Sequence, residues 1–170
     1  MKKIKTYSEY ISQTKILIIV FILIVVCAQI FLMLPYNVHE NMLDTKFGFD
    51  RSVVASAMNE LGLKGKQVYI LSGLILDTIF PILYVTLALG LFFRFGYQNN
   101  FIFIIPVLAG AADICENVQI SFMMSASSII ALTDIQIFLS STFNQIKWDL
   151  CFLTLLLTIV GVIKKLFHKD

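Results

Sequence analysis

Four long apolar stretches, at about residues 16–34, 67–93, 101–124 and 148–167, are separated by polar segments. Each is close to the ~20 residues an α-helix needs to cross the hydrocarbon of a bilayer. Pro35 closes the first and Arg94 the second. The expectation is an all-α, polytopic membrane protein: a single domain, residues 1–170, with four transmembrane helices in an antiparallel bundle. The first stretch is longer than the ~7–15-residue core of a signal peptide and no small-x-small cleavage site follows it, so it is read as a retained helix.

The two longer connections, 35–66 and 125–147, are expected on the outer side. In the first, Asp50 is placed to cap a helix and Gly62 to end it. Between them Val54, Ala57, Met58 and Leu61 fall at i, i+3, i+4 and i+7, a single apolar stripe. This predicts a short amphipathic helix lying on the membrane surface or over the end of the bundle. The segment 125–147 mixes Ser, Thr and Asp134 with apolar Ile129, Leu132, Ile135 and Leu139, which reads as an interfacial connection with a short helix of its own.

Composition sharpens the class. Hydrophobic residues make up 58% of the chain and charged residues 14%, with a mean hydropathy of +0.85, whereas soluble domains carry about 25% charged residues. A net charge of +2 gives no reason to expect nucleic acid. The expected partners are the lipid bilayer and, beyond it, a second copy or another membrane protein. Eight of the thirteen Lys and Arg (Lys2, Lys3, Lys5, Lys15, Arg94, Lys164, Lys165 and Lys169) fall on one side of this topology. The positive-inside rule then puts both termini in the cytoplasm and the protein in the cell membrane. Cys27, Cys115 and Cys151 lie in or beside apolar runs without C-x-x-C spacing, which suits buried small hydrophobes.

The chemistry is concentrated in few residues. Asp113, Glu116 and Asn117 interrupt the third stretch, and Asp77 interrupts the second. A carboxylate in hydrocarbon costs ~2.5–3.5 kcal/mol on insertion scales and marks a functional site by default. Helical geometry puts Gly73, Asp77, Pro81, Tyr84 and Ala88 on one face, and Pro106, Ala109, Gly110, Asp113, Glu116 and Asn117 on another. At ~1.5 Å per residue, Asp77, Asp113 and Glu116 all lie roughly 12–17 Å below the outer ends of their helices and can share one site. Pro81 is expected to leave the Asp77 carbonyl open to a ligand or water. Gln29, Tyr84, Pro81, Asp149 and His39 are the candidates for a supporting shell.

No Lys or Arg is expected in the four apolar cores. Either a carboxyl there is protonated or a cation neutralises the group. Oxygen ligands from Asp77, Asp113, Glu116 and the Asn117 carbonyl suit Mg²⁺, Ca²⁺, Mn²⁺ or Na⁺. Three functions follow: a cation- or proton-binding membrane protein that could serve transport, an intramembrane enzyme acting on a lipid or lipid-linked substrate, or a non-catalytic accessory or immunity-type protein. In the last, the carboxyls are polar glue between helices.

The skeleton Phe47-Gly48-Phe49-Asp50, Leu61-Gly62, Gly65, Tyr69, Asp77-x-x-Phe80-Pro81-x-x-Tyr84 and Asp113-x-x-Glu116-Asn117 resembles that of uncharacterised four-helix bacterial membrane proteins. Their second and third spans carry D-x-x-F-P-x-x-Y and D-x-x-E-N patterns. The resemblance implies a shared site on helices 2 and 3 and attaches no activity to it. No Walker loop, H-E-x-x-H, G-x-S-x-G or C-x-x-C motif is present.

Overall fold

A computed structural model describes residues 9–97 and 100–167. The described residues form α-helices and short 3₁₀ turns and contain no β-strand. Four helices are long and apolar enough to cross a membrane, the hallmark of a membrane protein. They are α1 (Thr14–Leu32), α2 (Arg51–Arg94), α3 (Asn100–Ser125) and α4 (Asp134–Phe167).

The Asp50 carboxylate opens α2 by accepting from the backbone N–H groups of Ser52 and Val53. These are donors that a helix start would otherwise leave unpaired. Helix α2 is 44 residues long, ~66 Å if straight and about twice the thickness of a bilayer core. It is not straight, because Gly62 sits at φ 56°, ψ −167°, a region essentially restricted to glycine. Residues 51–61 therefore form the expected amphipathic helix. Val54, Ala57, Met58 and Leu61 are all buried on its inner face. The helix resumes directly after Gly62 and continues through the apolar stretch expected from residue 67.

The largest difference lies in α4. It begins at Asp134, not near Trp148, and runs unbroken for 34 residues. A capping box starts it: the Gln136 N–H donates to the Thr133 hydroxyl, and the Gln136 side chain accepts from the Thr133 N–H. Ser, Asn and Lys in residues 134–147 look foreign to a membrane helix, but they line a face turned into the protein, where Ser140, Ser141, Asn144 and Lys147 are all buried.

The main hydrophobic core lies at one end of the bundle. It joins Val38, Met42, Leu43 and Phe49 from the α1–α2 connection to Leu61 and its neighbours, to Ile120, Met123 and Met124 of α3, and to Leu132 and Ile137. We call this the cap. Arg51 ties it together, pairing with Asp134 at 2.7 Å and donating to the carbonyls of Ile129 and Leu132.

At the opposite, terminal end, Arg94 donates to Thr14 and Lys165 donates to the Arg94 carbonyl, so α1, α4 and the α2–α3 turn meet there. Tyr97 closes the turn by donating to the Leu157 carbonyl, and burial pushes its phenol above the ordinary value. Lys2, Lys3, Lys5, His168 and Lys169 lie outside the described residues. Helix α2 packs on α1 and α3, and α3 packs on α4. Small residues bring α2 and α3 close: a Cβ on Gly110 would stand 2.7 Å from Val85.

Two expectations follow from these helix ends. No neighbour lies within 4 Å of a Cβ built on Gly62, so Gly62→Ala should cost backbone strain alone, ~1–3 kcal/mol. This is read as a lower unfolding midpoint in detergent; an unchanged midpoint would show that the bend does not need glycine. The Ser52 hydroxyl, with the Val53 N–H, holds the Asp50 carboxyl below its usual value of 3.8. A depressed folded pKa stabilises above the unfolded value, and that stabilisation is lost as pH falls through the folded one. The destabilisation caused by Asp50→Ala should therefore be full at neutral pH and shrink below about pH 4.

Candidate functional site

Pro81 and Asn117 set the floor of the site. Pro81 has no N–H to offer the Asp77 carbonyl four residues earlier. The Asn117 amide takes that acceptor at 2.7 Å and also reaches Asp113 Oδ1 at 3.3 Å. The expectation that Pro81 frees this carbonyl holds, but its partner is a side chain of α3. Tyr84, one turn beyond Pro81, donates to the other oxygen of Asp113 at 3.0 Å. The polar faces of α2 and α3 thus interlock, with Asp77, Asp113, Glu116 and Asn117 all buried.

Contrary to the expectation of unpaired carboxylates, a cation is present. Lys147 of α4 is buried, with its Nζ 2.6 Å from Glu116 Oε2 and 3.7 Å from Asp113 Oδ1. The sequence pattern placed Lys147 in an exposed connection because its neighbours are polar; on a continuous α4 it faces inward. Glu116 is fully enclosed. Its Oε1 accepts from Asn144 at 2.7 Å, and its Oε2 relies on the ammonium alone.

The same ammonium reaches the connection above it. The backbone carbonyl of Asp44 accepts from Lys147 Nζ at 3.0 Å, from Trp148 Nε1 at 3.2 Å and from Asn144 Nδ2 at 3.3 Å. Tyr69 donates to the Asp44 carboxylate at 2.7 Å and accepts from the Leu43 N–H. Asn144 Oδ1 and Ser141 Oγ accept from the N–H groups of Gly48 and Phe49. Four buried polar side chains, Tyr69, Ser141, Asn144 and Lys147, together with the more exposed Trp148, thus hold residues 43–49 down over the carboxylates.

Beneath this connection lies a cavity of about 290 Å³. Asp77, Asp113, Tyr84 and Lys147 contribute polar lining, as do His39, Asp44 and Thr45; Ala28, Phe31, Leu32, Phe80 and Trp148 provide apolar wall. Helix α1 stands across the cavity from α4 and packs on α2. His39 and Asp44 line the cap side, and Cys151 the α4 side.

Other expectations need correction. Gln29 is exposed on α1 and Asp149 is exposed on α4, and neither lines the cavity. Glu116 and Asn117 are committed to protein partners and do not line it either. Among the described residues no three His, Cys, Asp or Glu come together as a metal-ligand set. Of the four expected cation ligands, Asp77 and Asp113 line the cavity, whereas Glu116 and Asn117 face protein partners. Cys27 is buried as expected, but Cys115 is exposed and Cys151 is half-buried.

Asp44, Tyr69, Asn144 and Lys147 are the site residues that the sequence reading missed. For α4 a signal existed: Ile137, Ser140, Asn144 and Lys147 follow helical spacing, as Asp113 and Asn117 do. No protein-family model, curated protein or solved structure matches the chain.

Removing one member of a buried ion pair strands the other, at ~3–5 kcal/mol. Lys147→Met should therefore lower stability by about this amount, and adding Glu116→Gln should recover most of the loss. Thermal unfolding of the single and double variants in detergent checks this; additive losses would show that the two groups do not depend on each other.

Proposed function

We propose that the protein carries an intramembrane site in which Asp77 takes a cation or a proton from the cavity between α1, α2 and α4. One observation supports this above the rest. Asp77 is 6% exposed and borders the cavity, yet among the described residues no hydrogen bond or ion pair engages its carboxyl. The other three acids are engaged: Asp113 by Tyr84 and Asn117, Glu116 by Lys147 and Asn144, and Asp44 by Tyr69.

The Asp77 carboxyl oxygens are not among the fully enclosed polar atoms that lack a partner, so they remain open to the cavity that the residue borders. A carboxyl kept only as glue between helices would be bonded across them, as the Asn117 amide is. The partner of Asp77 therefore comes from the cavity. In the same reading the terminal end, with Lys15, Arg94, Lys164 and Lys165, faces the cytoplasm.

Thermal unfolding in detergent, followed against pH and against Na⁺, Mg²⁺, Ca²⁺ and Mn²⁺, tests this. Binding to the folded state raises its stability by ~2.7 kcal/mol at a hundredfold excess over Kd. Asp77→Asn is expected to abolish the cation effect, or to shift the pH profile if a proton is taken, whereas Asp149→Asn on the exposed face of α4 should change neither. Identical pH and cation profiles for wild type and Asp77→Asn would overturn the proposal.

A further inference from the structure

We propose that the ligand of this site is an amphiphilic amine, one protonated nitrogen on an apolar body, which enters from the surrounding lipid between α1 and α4. The inference rests on the Asp77 reading above and names the class of molecule that completes it.

Size comes first. A cavity of about 290 Å³ is far larger than a bare ion requires, and a water molecule takes only ~30 Å³. Most of its wall is hydrocarbon or aromatic, which would leave a hydrated ion poorly solvated and suits an apolar body. Phe31, Phe80 and Tyr84 meet edge to face, with centroids 6.0 and 5.8 Å apart, on the wall beside Asp77. Aromatic rings in such a position attract an ammonium group through their faces.

Charge selects the head group. Four carboxyl groups, Asp44, Asp77, Asp113 and Glu116, share one ammonium, Lys147, which is in contact with Glu116 at 2.6 Å. A cationic nitrogen at Asp77 lowers the acidic excess, whereas an anionic head would raise it. A neutral alcohol could donate a hydrogen bond to Asp77 but would bring no charge.

The route follows from exposure. Leu32 and Trp148 line the cavity from α1 and α4, and they are 54% and 40% exposed. His39 and Thr45 on the cap side are exposed too but are polar; Leu32 and Trp148 are the exposed lining residues that suit entry from lipid, and the proposed mouth lies between them. On the cap side, residues 42–45 are held over the cavity by the bonds to Asp44 and Leu43.

The sequence contains a single tryptophan, Trp148, so its emission reports from this mouth. Protein in phosphatidylcholine nanodiscs is titrated with dodecylamine, dodecanol or dodecanoate. Dodecylamine should produce a saturable change in emission at a membrane mole fraction about tenfold or more below that for dodecanol. Dodecanoate should produce none. Asp77→Asn should weaken the amine response to the level of the alcohol. Ala28→Phe, which adds bulk to the α1 wall of the cavity and leaves every acid in the sequence, should abolish it.

Equal responses to alcohol and amine, or a stronger response to dodecanoate, would overturn the amine assignment. If the amine shows no preference while Asp77→Asn still alters the cation or pH profile of stability, the ligand class falls and the Asp77 site stands. If Asp77→Asn changes neither measurement, both fall. Should that variant not fold, a saturable amine response that survives Ala28→Phe overturns the cavity as the binding place.

Discussion

The contact between Lys147 and Glu116 is the constraint on which the interior of this protein depends. Glu116 comes from α3, Lys147 from α4, and the same ammonium bonds the Asp44 carbonyl of the α1–α2 connection. One charged group thus satisfies one helix, anchors a second and holds a loop in place. Burying such a pair gives little net stability against an apolar replacement, but breaking it is costly. The arrangement therefore acts less as glue than as a condition: α3, α4 and the loop adopt this register together or leave a charge stranded in an apolar interior.

With Glu116 settled, the remaining acids divide by environment. Asp113 is held from two sides by Tyr84 and Asn117, and Asp44 by Tyr69. Asp77 shares their neighbourhood but not their bonds. Its own backbone carbonyl, freed by Pro81, gives Asn117 an anchor, so the residue is held by its main chain while its carboxyl borders the cavity. That separation of a positioned backbone from an unengaged side chain distinguishes Asp77 from the structural polar groups around it.

Much of this could be read from residue order. The α1 and α3 boundaries, the cap helix between Asp50 and Gly62, and the two small and polar faces of α2 and α3 all follow from spacing and end signals. Two things did not. The start of α4 was written in Thr133 and Gln136, but the polar stripe after it resembles a surface segment until something buried is known to face it. The role of Asp44 was hidden for a different reason. Its decisive atom is a backbone carbonyl, and every residue carries one; only the fold shows that three donors converge on it.

The cap core draws on chain from Val38 to Ile137 and includes residues on both sides of Gly62. It cannot close until the beginning of α4 has been made. During synthesis Glu116 emerges before Asn144 and Lys147, the two residues that satisfy its oxygens. Until α4 is in place the Glu116 carboxyl lacks both of these partners, and the placement of α4 both supplies its counter-charge and pins the loop above it. The site is therefore complete only once α4 has joined α3 and the loop.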